Sequence, residues 1–84
     1  MNNLIDFTEY FQLYNTPQQV RTDCNAITII NTGTATAIID GLQLVPGGQY
    51  ISPGNENEIN RTNYNLRFTG AGTEEVLVIR KIYK

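Results

Sequence analysis

An 84-residue chain with 40% hydrophobic and 17% charged residues makes one small domain with a modest core. Six basic and eight acidic residues give a net charge of −2 and a pI near 4.8, so the clustered positive field that a nucleic-acid backbone requires is not expected. Histidine is absent, which excludes Ser–His–Asp and Cys–His catalysis and the commonest metal ligand, and a single cysteine excludes an intramolecular disulfide.

Residues 1–23 differ in pattern from residues 24–84. Phe7, Tyr10, Phe11 and Tyr14 recur at three- and four-residue spacing, with Leu4 three residues before Phe7. That spacing predicts one face of a short helix. Asp6 would cap it, with Glu9 as reciprocal partner, and Pro17 would stop it. The alternative is an extended arm with Phe7, Glu9, Phe11 and Leu13 on one side. Four aromatic rings in eight residues are a large apolar load, which either lids the rest of the chain or docks on another subunit. Docking is the expectation, with Phe7, Tyr10, Phe11 and Tyr14 as the contact residues.

From Asn25 the period changes to two. Ile27 and Ile29 face one way, Thr28 and Ile30 the other, and Asn31-Thr32-Gly33-Thr34 should turn the chain, with Gly33 free to take positive φ. Ala35, Ala37 and Ile39 oppose Thr36 and Ile38, and the small alanines imply close approach of another layer. Asp40-Gly41 is the strongest hairpin signal in the chain. Leu42 and Leu44 lead to Pro46-Gly47-Gly48, where a strand ends or lies at an edge. A short run, residues 49–52, stops at Pro53-Gly54, and residues 55–58 read as an exposed polar loop. Tyr64, Leu66 and Phe68 should point inward from a half-buried strand. Residues 76–83 form the longest run, and residues 76–79 are apolar on both faces, which suits a core centre or a subunit interface. Val76, Val78 and Ile82 would give one face of this strand to the core or to a neighbour. Arg80, Lys81 and Lys84 read as the solvated part of that strand. The expected fold is therefore all-β: a small antiparallel β-sandwich or barrel of six or so short strands in residues 24–84, preceded by a short N-terminal helix or extended arm in residues 1–23.

No catalytic constellation emerges. Ser52 is the only serine and sits beside Pro53 in a turn. Glu56 with Glu58, and Glu74 with Glu75, are carboxylate pairs, but a glycosidase needs two carboxyls facing across a sugar-sized cleft. The residues 55–58 loop fits no EF-hand spacing. Gly70-Ala71-Gly72 precedes no helix that could bind phosphate. Asn60-Arg61-Thr62 matches the glycosylation triplet, yet Met1-Asn2-Asn3 begins no recognisable signal peptide. Cys24 reads as a buried structural thiol. No segment is apolar and long enough to span a membrane. No cofactor, metal or nucleic acid is expected. Tyrosine is the one residue type suited to recognition: Tyr64 reads as core, while Tyr50 and Tyr83 suit the core and a contact surface equally.

Residues 31–49, running Asn31-Thr32-Gly33 to Ile39-Asp40-Gly41-Leu42-Gln43-Leu44-Val45-Pro46-Gly47-Gly48-Gln49, together with the end strand of residues 76–83, resemble the small virion structural proteins of tailed phages: capsid decoration, head-fibre and neck or tail proteins. The resemblance spans roughly residues 25–84 and rests on turn placement. It implies a non-enzymatic, multi-copy β-domain without cofactor that contacts capsid or neck proteins, is oligomeric, and assembles into the virion in the host cytoplasm. Two other readings stay open. One is a carbohydrate- or receptor-binding module that uses Tyr50 and the loops at Pro46 and Asn55. The other is an inhibitor of a host protein.

Overall fold

Thr, Ile, Val and aromatic residues at alternating positions favour extended backbone, and they form eight strands in a computed structural model that describes residues 4–83. The strands are β1 (Phe7–Tyr14), β2 (Gln18–Arg21), β3 (Ala26–Asn31), β4 (Thr36–Ile39), β5 (Leu42–Leu44), β6 (Gln49–Ser52), β7 (Asn63–Thr69) and β8 (Val76–Tyr83). They make two antiparallel four-stranded sheets, in the orders β1-β8-β3-β6 and β2-β7-β4-β5. Only β4 and β5 follow one another within a sheet; every other connection passes from one sheet to the other.

That weaving draws one core from both sheets. Tyr14, Ile27, Ile29, Val76 and Val78 come from the first; Val20, Ala37, Ile39, Leu44, Tyr64 and Leu66 come from the second; Cys24 joins from the β2–β3 link. Tyr50, Phe68 and Ile82 pack against this cluster. The inward assignments of Tyr64 and Leu66 follow from period-two alternation alone, and of the two settings open to Val76 and Val78 the structure shows the core. The Asp40-Gly41 hairpin has φ of 47° and 90° at its two turn residues, the left-handed pair of a type I′ turn.

Buried polar side chains tie the layers together. Asn31, at the end of β3, donates through Nδ2 to the carbonyls of Ala35 and Leu44, both at 2.8 Å, and accepts from the Gly33 N–H at 3.0 Å. Asn25 donates to the carbonyls of Asn55 at 3.1 Å and Glu58 at 2.6 Å, and accepts from the Tyr83 N–H at 2.8 Å. Thr22 Oγ1 reaches the carbonyls of Asn60 and Thr62. Among the described residues these three are the buried polar ones, and each is satisfied, as burial away from water demands.

The structure departs from the sequence expectations in three places. The N-terminal aromatics form no helix, and the extended alternative, with Phe7, Glu9, Phe11 and Leu13 on one side, holds: residues 7–14 are β1, paired along their full length with β8 from Phe7↔Tyr83 to Tyr14↔Val76. An eight-residue helix gains little alone, whereas β8 supplies a ladder of equal length to a segment rich in strand-forming rings. The strand count rises from six or so to eight, because β1 and the short β2 each join a sheet. Gly33 is absent from the positive-φ residues. It is required by close approach instead: a Cβ there would run into the Thr73 carbonyl oxygen and lie 2.8 Å from the Glu75 nitrogen.

Candidate protein-contact surface

Directly paired residues in antiparallel strands share a face, so the register sorts every side chain of the first sheet. Val76 and Val78 face the core. Their partners Tyr14 and Gln12, and further along Tyr10 opposite Arg80 and Thr8 opposite Ile82, share that inner side. The outer side carries Phe7, Glu9, Phe11 and Leu13 of β1 against Tyr83, Lys81, Ile79 and Leu77 of β8. Beyond them lie Ala26, Thr28 and Ile30 of β3, then Ile51 and Gln49 of β6. One row across the sheet thus reads Phe11, Ile79, Thr28, Ile51, and the next reads Leu13, Leu77, Ile30, Gln49.

This outer side is apolar and uncovered. Phe7 is 50% exposed, Phe11 63%, Leu13 61% and Ile51 55%. A shallow depression lined by Phe11, Gln12, Leu13 and Leu77 lies at its β1 margin. Among the described residues its charged side chains are Glu9 and Lys81, which occupy partner positions on neighbouring strands. The Lys81 ammonium sits 4.1 Å from the Phe7 ring centroid and 5.0 Å from that of Tyr83, and the two rings meet edge to face at 6.2 Å. A cation held over rings in this way keeps the aromatic pair ordered while exposed.

The strand conformation divides the sequence-chosen residues. Phe7 and Phe11 lie on the outer side. Tyr10 and Tyr14 lie on the inner side, where Tyr14 is buried and Tyr10 stays half-exposed. Tyr14 accepts from Arg80 Nη2 at 2.7 Å and donates to Gln12 Oε1 at 3.0 Å. Arg80 also donates to Gln12 Oε1 at 3.1 Å and to the Arg21 carbonyl at 2.8 Å. Its guanidinium therefore clamps β8, β1 and β2 together rather than standing free in solvent. Ile82 packs on the core. Tyr50 is half-buried; its ring meets Tyr64 edge to face at 5.6 Å, and the two phenols hydrogen-bond at 3.3 Å. That hydrogen bond, with burial behind it, holds the Tyr50 phenol neutral to higher pH than usual. Lys84 lies outside the described residues.

Leu13, Leu77, Ile79 and Ile51 complete the outer patch without having been singled out as contact residues. The signal for Leu77 and Ile79 was the two-faced apolarity of residues 76–79. The signal for Leu13 was its place on one side of the extended arm. Ile51 gave none.

Chemistry-bearing groups are sparse elsewhere. Among the described residues no group of three or more His, Cys, Asp or Glu is placed to hold a metal ion. Cys24 is fully buried, and desolvation raises its thiol pKa despite the nearby Arg80 charge. The Asn60 side chain is engaged locally, accepting from the Thr62 N–H at 2.9 Å and donating to Ser52 Oγ at 3.3 Å. The Asn55–Glu58 loop is closed by its own backbone and the Glu58 carboxylate. The chain matches no family model, no curated protein and no solved structure.

Proposed function

We propose that this protein is a non-enzymatic structural protein, a β-sandwich that attaches to a larger protein assembly through the outer side of its β1-β8-β3-β6 sheet, and that the assembly is a tailed-phage virion. The observation that carries the contact is the continuous apolar patch of Phe7, Phe11, Leu13, Leu77, Ile79 and Ile51. A sheet side of this composition gains by being covered, and a large exposed apolar patch marks an interaction site. The virion assignment rests on the resemblance in residues 25–84. It accords with a small domain held by packing and buried hydrogen bonds, with its one cysteine free. The contact partners in this reading are capsid or neck proteins.

Particles purified from cells expressing the full phage genome test the assignment by quantitative mass spectrometry. The reading expects the chain in the particle fraction at a fixed multiple of the major capsid protein. Its confinement to the soluble fraction, with intact particles forming, would overturn the virion reading.

A further inference from the structure

We propose that β1 is a homotypic pairing edge: the β1 strands of two copies run antiparallel about a twofold axis at Tyr10, joining two four-stranded sheets into one of eight. The inference rests on the reading of the chain as an assembling structural protein, but it uses the edge of the sheet rather than its outer side.

Half of the β1 backbone groups have no partner within the sheet. The Asn31 N–H donates to the Gly48 carbonyl at 2.9 Å, on the β6 side of β3. Hydrogen-bonding direction alternates along a strand, so Ala26, Thr28 and Ile30 bond toward β8, to Lys81, Ile79 and Leu77. The Asn25 N–H donating to the Lys81 carbonyl at 2.9 Å agrees. Val76, Val78, Arg80 and Ile82 must then bond toward β1, through Tyr14, Gln12, Tyr10 and Thr8. The N–H and C=O groups of Phe7, Glu9, Phe11 and Leu13 are left pointing away from the sheet, and β1 is the last strand in its sheet.

The length and composition of β1 suit it to pairing. The other three edge strands, β2, β5 and β6, have four, three and four residues, whereas β1 has eight. It contains no proline, glycine or lysine and one carboxylate, so it lacks most devices by which edges resist pairing. Among the free edges only a second β1 matches it in length.

Side-chain parity and charge fix the register. Keeping the two outer sides flush requires each residue to oppose one of the same face. An axis at Glu9 would set two carboxylates against each other. An axis at Phe11 would pair Phe7 with the partner's Asn15, beyond the strand. An axis at Tyr10 pairs Phe7 with the partner's Leu13 and Glu9 with the partner's Phe11. All the outward N–H and C=O groups of both strands are then used, and the two outer sides lie flush across the dyad, with each Glu9 beside the partner's Phe11 rather than the partner's Glu9. Tyr10 meets the partner's Tyr10 at a non-hydrogen-bonded site, where side chains lie closest.

Cysteine cross-linking of the full chain tests this. Tyr10 is half-exposed and Cys24 is fully buried, so a thiol placed at position 10 is the one available to oxidise. Cα atoms about 4.5 Å apart at a non-hydrogen-bonded pair suit a disulfide. Tyr10→Cys is expected to give a disulfide dimer within minutes under mild oxidant, at micromolar protein, with the far-UV spectrum unchanged. Thr8→Cys and Gln12→Cys are expected to stay uncross-linked alone but to form mixed dimers when combined. Absence of the Tyr10→Cys dimer, or equal cross-linking of Thr8→Cys alone, would overturn the proposal. Ile51→Asp, on the far strand of the same sheet, separates the two readings. Cross-linking that survives this change while particle incorporation is lost keeps the edge apart from the docking side. Incorporation without any Tyr10→Cys dimer removes the edge and leaves the docking side standing.

Discussion

Replacing Asn31 with alanine should be among the most damaging single changes away from the apolar core. The side chain is 1% exposed and makes three hydrogen bonds that join the end of β3 to the β3–β4 link and to β5. Gly33 would keep a partner, because its N–H also reaches the Glu75 carbonyl at 3.0 Å. The carbonyls of Ala35 and Leu44 would each lose a buried donor. A buried group left unsatisfied costs roughly 1–3 kcal/mol, so the expected loss is about 2–6 kcal/mol for the pair. A chain of this length has a total stability of about 4–13 kcal/mol. With a urea m-value near 1 kcal/mol/M for a small domain, the midpoint should fall by about 2–6 M. Tyrosine fluorescence can follow the transition at fixed protein concentration. Asn31→Asp should be at least as harmful, since it keeps the acceptor, loses both donated bonds and faces a carboxylate toward two carbonyls. A loss under about 0.5 kcal/mol for Asn31→Ala, at unchanged m, would refute the claim that this side chain ties the two sheets together.

Three further outcomes follow from the packing and the buried groups. Arg80→Ala removes donors to Tyr14, Gln12 and the Arg21 carbonyl; about 1–2 kcal/mol should be lost in urea melts, and Arg80→Lys should restore only part of it because an ammonium lacks the planar fork. Gly33→Ala, which sets a Cβ against the Thr73 and Glu75 backbone, should cost about 1–3 kcal/mol, whereas Gly47→Ala, at φ of 82° in open space, should cost about 1 kcal/mol; the reverse order in thermal melts would contradict the close-approach account. Desolvation lifts the Cys24 thiol above its ordinary value of 9.0 in the fold, so the unfolded chain ionises first and stability falls as pH rises from about 9 through the folded value. Tyr50 adds a loss of the same sign above 10.0, chiefly through its hydrogen bond to Tyr64. Cys24→Ala should flatten the decline between pH 8 and 10, and equal slopes for both proteins would refute the assignment.

The legible part of the fold is the part where pattern and environment agree. Tyr64 and Leu66 alternate with the polar Asn63, Asn65 and Arg67, and period two alone places them in the core; for Val76 and Val78 it gives a shared face, and the structure settles that this face is the core one. Asp40-Gly41 names its own turn, because both residues tolerate left-handed backbone. The N-terminal segment is ambiguous by periodicity: Phe7, Tyr10, Phe11 and Tyr14 satisfy a helical stripe, while Phe7, Phe11 and Leu13 satisfy a strand face. What decides is tertiary, the presence of β8 with an unfilled side, and local rules cannot see it. Propensity favours the strand, since Phe, Tyr and Thr dominate residues 7–14 and alanine is absent. β2 shows only Val20 among polar neighbours, too little for any pattern. Gly33 and Asn31 carry roles set by partners far along the chain or in another layer, so a reading of their neighbours misses both.

The same tertiary fact rearranges the candidate site. Strand parity sends Phe7 and Phe11 outward, and it sends Tyr14 inward to the Arg80 clamp. The apolarity of residues 76–79 on both faces then acquires a physical reason. One face fills the core, and the other, with Leu77 and Ile79, continues the uncovered patch that β1 begins and Ile51 ends.

The central claim is that this outer patch, and not the polar outer face of the other sheet, makes the contact with the assembly. The most direct measurement is the copy number per particle of two charge variants, each shown by its melting curve to be folded. Ile51→Asp places a carboxylate in the patch, and Arg67→Asp changes an exposed side chain on β7 of the opposite sheet. The account predicts at least a tenfold loss of Ile51→Asp from particles, with Arg67→Asp at the wild-type level, since burying an unpaired carboxylate costs several kcal/mol. Wild-type incorporation of Ile51→Asp, or loss of Arg67→Asp alone, would contradict it.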